Sequence, residues 1–301
     1  MPLPLYYFLA IAAINVLMSW ALYLPYRVAH LHFITVANMA ISGYLAGYLT
    51  VSLHVPMGWA LLAGVVLGGL IGYLVSHFIG DAPTFAVVIV GFAAIYITRT
   101  AIENLKAVGG PLGLFGIPAM FGSPIAHRWV VLGILLGLLL LVGFLLFRFD
   151  HSRLGRAASA VFTDKDLASS LGVDAKRLGM LVQTFSCTLA GACGVLYAFI
   201  YRSLHLDFFT FHLVGVTMTA IFVGGYATQW GALLAAPVLY GIPLLLPAAV
   251  QEWRIVIYGA ALILVLVLKP EGFVTRRFVV TLERTLSAGR RRRNNLTKEG
   301  L

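Results

Sequence analysis

Charge is what this sequence has least of. Of its 301 residues only 11% are Asp, Glu, Lys or Arg, while 60% are hydrophobic and the mean hydropathy is +0.94. A soluble domain carries about 25% charged residues and needs polar side chains over its surface, so a soluble globule is excluded. Stretches of alternating polarity are missing too, which excludes an outer-membrane barrel. Cysteine is scarce: Cys187 and Cys193 are the only two. Six residues of one predicted helix set them about 9 Å apart, too far for a disulfide, and they read as small packing residues. The eight histidines lack metal-site spacing. No GxSxG, GxGxxG or GxxxxGK[ST] motif occurs, so nucleotide chemistry would belong to another subunit.

What the chain does have is long apolar runs. A helix crosses the hydrocarbon core with about 20 apolar residues. Nine candidates lie near 5–24, 31–53, 57–79, 84–102, 129–147, 178–200, 210–226, 231–250 and 254–269. The expected fold class is therefore an all-α polytopic membrane protein of about nine transmembrane helices, with eight to ten as the range. The first run has no basic leader and no small-residue cleavage site, so it reads as a retained span. A transmembrane domain is expected over 1–275 and a basic cytoplasmic tail over 276–301. No span carries a mid-membrane acid, which argues against a proton-coupled carrier.

Basic residues orient the spans, because Lys and Arg are retained on the cytoplasmic side. With nine spans, sixteen of the 21 basic residues fall on one side: Arg27, those from Arg148 to Arg177, and the tail from Lys269 onward. This places the N-terminus outside and the C-terminus inside a bacterial-type plasma (inner) membrane. The net charge of +10 then reflects retention and attraction to anionic lipid headgroups, with no nucleic acid as partner.

One long polar segment, at 148–178, interrupts the apolar runs. Within it "GRAASAVFTDKDLASSLGVDAKRLG" begins at Gly155. Leu154 to Val161 reads as a short Ala-rich helix. Thr163 followed by Asp166 has the form of a capping box that would start a second, "DKDLASSL", ended by Gly172. Leu167, Ala168 and Leu171 would share one narrow apolar face. Such a helix either packs on its own membrane domain or lodges in a groove on a cytoplasmic partner.

This segment resembles the cytoplasmic coupling loop of ABC-importer permeases for branched-chain amino acids, through Gly155, Arg156, Ala157, Asp164, Ala168, Leu171, Gly172 and Val173. "LAGACGVLYA", "FVGGYATQWGALLAAP" and "LVLKPEGF" resemble later segments of the same family, and "LHFITVANMAISGYLAGYL" and "GGPLGLFGIP" earlier ones. The resemblance covers roughly residues 28–275. The chain departs from the family pattern at Ala227, at Phe162 and Thr163, and at His32, Thr35 and Asn38. The resemblance implies a permease paired with a second homologous permease subunit, two ATP-binding subunits and an external solute-binding protein. ATP would bind those partners, with no cofactor in this chain and no enzymatic activity of its own. It implies an ATPase-coupling role for Gly155, Arg156, Ala157, Asp164, Asp166, Leu167, Ala168, Leu171 and Gly172.

Polar residues inside spans point to the path of a small-molecule solute; the candidates are Thr35, Asn38, Ser42 and Gln183, with helix–helix hydrogen bonding as their other use. Gly64, Gly68 and Gly72 lie on one face of the third span and permit close helix crossing. The function expected is the permease subunit of an ATP-driven importer for branched-chain or related amino acids. An autonomous channel or carrier for a small neutral solute such as urea is the alternative. The orientation makes a direct prediction. In intact cells an impermeant thiol reagent should label a cysteine introduced at Ala107 and miss one at Lys165; the opposite pattern inverts the topology.

Overall fold

The computed structural model describes residues 3–80, 82–118, 124–226, 228–245, 253–269 and 272. It is mostly helical (83%). The order is α1 (Leu3–Tyr26), α2 (Ile34–Val51), α3 (Met57–Ile79), α4 (Thr84–Asn104), β1 (Leu114–Phe115), α5 (Pro124–His151), α6 (Arg153–Thr163), α7 (Lys165–Ser170), α8 (Ala175–Tyr201), β2 (Ser203–Leu204), α9 (Phe211–Gly224), α10 (Gln229–Leu245) and α11 (Arg254–Leu268). Among the described residues seven segments are long and apolar enough to cross a membrane: α1 to α5, α8, and Leu206–Gly224, which ends with α9. Nine were expected. The remaining two positions hold α10 and α11, of 17 and 15 residues. The expected run 231–250 ends outside the described residues, as do Ala227 and the tail 276–301.

The helices sort into a centre and a periphery. In α1, α2 and α8 72–78% of the span is buried, against 22–28% in α3, α4 and α5. The outer helices turn large apolar side chains outward: Trp59, Leu62, Val66, Leu70 and Tyr73 of α3 are all exposed. A water-soluble protein does not present such a surface, and a bilayer requires it.

Glycines hold the centre together. Gly64, Gly68 and Gly72 are the buried face of α3. A Cβ on Gly68 would stand 2.9 Å from the Cys187 carbonyl oxygen and 3.2 Å from Gly191 Cα of α8, and one on Gly194 would collide with the carbonyl of Met39 in α2. Helix axes come this close only where side chains are absent. Cys187 and Cys193 are free and buried on the same helix, as small packing residues should be. Trp20 of α1 closes the other side, its Nε1 donating to the carbonyl of Gln229 at 3.0 Å.

Two faces result. On one, β1 pairs antiparallel with β2, Leu114 opposite Leu204 and Phe115 opposite Ser203. Tyr44 donates to the Leu204 carbonyl there, and Arg99 meets Asp207 at 3.0 Å. The "GGPLGLFGIP" stretch supplies the first strand of this long-range pair. The other face gathers the end of α1, the starts of α2 and α4, and all of 148–178: Thr84 Oγ1 bonds the Ala29 carbonyl, and Arg27 reaches Asp150. Gly272 lies against the "GGY" segment here, since a Cβ on it would collide with the backbone of Gly225.

Gly194→Val should therefore lower the thermal stability of the purified protein by about 1–3 kcal/mol, the usual cost of overpacking. Gly137→Ala on α5, where nothing lies within 4 Å, should leave it nearly unchanged. Thermal unfolding in detergent separates the two outcomes.

Candidate functional site

The polar segment begins where α5 ends. Ser152 caps α6, its Oγ accepting from the Gly155 amide at 3.3 Å and donating to the Phe149 carbonyl at 2.7 Å. Gly155 sits against the end of α5, where any Cβ would collide with the Phe149 carbonyl and press Asp150. The α5–α6 corner therefore requires glycine. Gly155, Ala158 and Val161 form the buried face of α6, while Arg156 is exposed and Ala157 half-buried.

The cap of α7 differs from the expected capping box. Thr163 remains in α6, its hydroxyl donating to the Ser159 carbonyl at 3.0 Å. Asp164 is the cap: its Oδ1 accepts from the amides of Asp166 and Leu167 at 3.0 and 2.9 Å. A carboxylate satisfies two orphan amides and sits favourably at the positive end of the helix, and Asp166 adds a second acid in the first turn. At the far end the Val173 amide bonds the Ala168 carbonyl and the Gly172 amide that of Ser169, at 3.1 and 3.0 Å. With Gly172 at φ +88°, this is a Schellman termination. Asp174 then caps α8 through the Arg177 amide at 3.0 Å. Three short polar side chains thus start three successive helices.

The expected single apolar strip on α7 is split. Ala168 is 2% exposed and buried against its own chain, whereas Leu167 and Leu171 are 58% and 77% exposed. The reason is helical phase: α7 lies along the membrane domain, so Ala168 turns inward and its apolar neighbours turn out. Exposed Leu154 and Phe162 extend the apolar surface onto α6.

Sequence reasoning missed the anchor. Arg27 Nη2 lies 3.1 Å from Ser159 Oγ and 3.5 Å from Asp150 Oδ1. It ties the end of α1 to both helices of the α5–α6 corner. The pair is partly buried, so it escapes the full solvent screening that makes surface ion pairs weak. Next to it Tyr26 stands among Phe162, Phe222 and Tyr226, with ring centroids 5.4, 5.7 and 5.8 Å away. The loop is thereby packed against the ends of both α1 and α9. A basic residue just after the first span was visible in the sequence; its partners, more than 120 residues on, were not.

The candidate path residues separate into two groups. Thr35, Asn38 and Ser42 form one buried stripe of α2. The Asn38 amide donates to the carbonyls of Gly68 and Cys187 at 3.2 and 2.7 Å, which fills both its hydrogens and ties α2 to α3 and α8. Gln183 stands apart from that stripe: its Nε2 is 3.2 Å from His32 Nδ1 and 3.6 Å from Cys187 Sγ. His32 lies just before α2, and burial, with His30 nearby, pushes its pKa down to about 3. Among the described residues no group of three or more His, Cys, Asp or Glu could hold a metal ion.

A glycine-packed helical domain with an outward apolar surface and a capped, anchored two-helix loop on one face defines a polytopic membrane protein. The chain belongs to the family described as branched-chain amino acid transport system / permease component, whose model matches residues 5–266. It is 26% identical over 238 residues to the high-affinity branched-chain amino acid transport system permease protein LivM of Escherichia coli (strain K12), covering 71% of this chain and 55% of that protein. It is 28% identical over 241 residues to LivM of Salmonella typhimurium, covering 71% and 56%. Over 128 residues it is 32% identical to the corresponding permease protein LivH of Escherichia coli, 42% of this chain and 41% of that one. The chain spans about half the length of the curated relatives it matches. No solved structure matches it.

Gly172 has open space around it, so its requirement is conformational. Gly172→Val should strain the left-handed position by about 1–2 kcal/mol and loosen α7 while the spans stay folded. Hydrogen exchange should rise at 164–173 and remain unchanged in α8. Gly179→Ala, in a helix with nothing within 4 Å, is the matched control.

Proposed function

We propose that this chain is the transmembrane permease subunit of an ATP-driven (ABC) importer, passing a small polar solute of the branched-chain amino acid class. Family membership and the names of LivM and LivH support the solute class. In this reading the chain pairs with a second homologous permease, engages two ATP-binding subunits through 148–178, and receives solute from an external solute-binding protein. Nine helices cross the membrane, α10 and α11 completing the count, with the N-terminus outside and the loop and basic tail in the cytoplasm.

The observation that carries the proposal is the α6–α7 pair. Capped at every start and held to α1 by Arg27, it is a stiff element, and it turns Leu167 and Leu171 away from its own chain. A helix that leaves large apolar side chains uncovered is a docking element for a partner groove. Force on α7 would pass through α6 and the Arg27 and Tyr26 contacts to α1 and α9. Ala168, being buried in its own chain, acts in this scheme by seating α7.

Leu171→Arg and Leu167→Arg each place a charge in the proposed contact, at a cost of about 2 kcal/mol or more, over tenfold in affinity. Each variant should insert normally but recover far less ATP-binding subunit on co-purification, and solute uptake should fall with it. If both variants retain that subunit and transport normally, the loop is a connection only, and an autonomous channel becomes the better reading.

A further inference from the structure

Near the loop face the apolar surface of α5 is interrupted. Beside its last turns a groove of about 250 Å³ opens between α5 and α8. Its floor is Leu24 of α1, Leu146 of α5 and Leu178 of α8, all buried. Its rim is Leu145 of α5, Leu181 of α8 and Leu154 of α6, which are 40%, 61% and 49% exposed. Every side chain lining it is Leu, Val or Phe. A cavity of about 10–15 Å³ already holds one water, but only where polar partners face it, and no lining side chain here offers one. The groove is therefore no site for water or for a polar solute, and left empty its lining forfeits dispersion contacts.

The surroundings select the occupant. Leu136, Leu140 and Phe144 of α5 are exposed at four-residue spacing, and Leu141 and Leu145 form a second exposed row beside them. In a bilayer this face meets acyl chains, and the groove continues it, sharing Leu145. Three residues beyond Leu145, on the same row, comes Arg148, exposed in the last turn of α5. A helix face that is apolar and then basic at its end runs from hydrocarbon into the headgroup layer. Arg153, beside Leu154, is exposed as well. The segment 148–178 carries six basic residues against four acids, and three of those acids are engaged: Asp150 with Arg27, and Asp164 and Asp174 with helix-start amides. Arg177, four residues before Leu181, is held by Asp174 at 3.0 Å and is left out of the site. Among the described residues no acid pairs with Arg148 or Arg153.

We infer that this groove is a binding site for one anionic phospholipid, with an acyl chain lying between α5 and α8 against Leu154 and the phosphate met by Arg148 and Arg153. The groove takes the part of the chain nearest the headgroup, because its lining comes from the loop ends of the spans. Leu24 and Phe149 of the lining stand next in sequence to the Arg27–Asp150 pair, so a seated lipid would brace the α5–α6 corner. The site is separate from the exposed face of α7 and from the basic tail. It rests on the chain crossing a membrane and stands whichever partner the loop engages.

The test uses the full chain purified in a mild detergent. Phosphatidylglycerol and phosphatidylcholine with identical acyl chains are titrated in separately, and bound lipid is counted by native mass spectrometry. The expected result is one phosphatidylglycerol retained per chain, with phosphatidylcholine held about tenfold less tightly. Leu181→Trp fills the groove from its exposed rim and should release that lipid. Arg148→Gln should weaken phosphatidylglycerol about fivefold and leave phosphatidylcholine unaltered. Leu140→Trp, exposed on α5 but outside the groove, is the matched control, and thermal unfolding verifies that each variant is folded. Phosphatidylglycerol retained no better than phosphatidylcholine overturns the inference. So does a preference that either Leu181→Trp or Arg148→Gln leaves intact, since the lipid then lies on the basic tail or the general surface. A dimer that Leu181→Trp dissociates, with no lipid retained, overturns it too and makes a second copy of the chain the occupant.

Discussion

The structure depends on how closely α2, α3 and α8 approach one another. In a bilayer, burying apolar side chains between helices gains little, because lipid is as apolar as leucine; association rests on close van der Waals contact and on hydrogen bonds. Gly64, Gly68 and Gly72 of α3 with Gly191 and Gly194 of α8 bring backbones into contact, and the Asn38 amide fastens them by bonding a carbonyl on each neighbour. This is the helix–helix hydrogen bonding that is the other use of Asn38. Among the described spans α1, α2 and α8 are 72–78% buried, while α3, α4 and α5 turn most of their surface outward.

From that centre the loop inherits its rigidity. The α5–α6 corner fits only because Gly155 lacks a side chain, and Arg27 bonds both sides of the corner from the end of α1. Tyr26, the residue before it, carries the contact on to Phe222 and Tyr226 at the end of α9. Side-chain contacts thus link α6 to the ends of two spans, α1 and α9. In the function proposed above, that linkage would carry work from a partner ATPase to the spans.

Much of this was legible in the sequence because a membrane restricts what a chain can do. Backbone groups in hydrocarbon must be satisfied within the segment, so long apolar runs became helices: the expected 57–79 and the observed Met57–Ile79 coincide. The end of α7 was legible for a related reason, as a glycine after a short helix has few other uses, and Gly172 does take positive φ. Charge scarcity made the one polar segment stand out, and the departures at Phe162 and His32 fell on residues that turned out to have structural partners.

Other features depend on phase and distance, which a sequence does not carry. Whether Thr163 or Asp164 caps α7 turned on one residue of helix length, since both have a side-chain oxygen able to accept from an amide. Ala168 was grouped with Leu167 and Leu171 by spacing, yet the direction in which α7 lies on the membrane domain buried it and left the leucines out. Arg27 with Ser159, and Gln183 with His32, are pairs 132 and 151 residues apart, joined only after the spans had packed. The sequence by itself determined that the chain forms membrane-crossing helices and where its polar loop lies, because solvent and backbone chemistry act on each segment alone. Which residues anchor that loop, and which of its side chains stay exposed, was decided by tertiary structure, because packing sets the rotation of each helix against its neighbours.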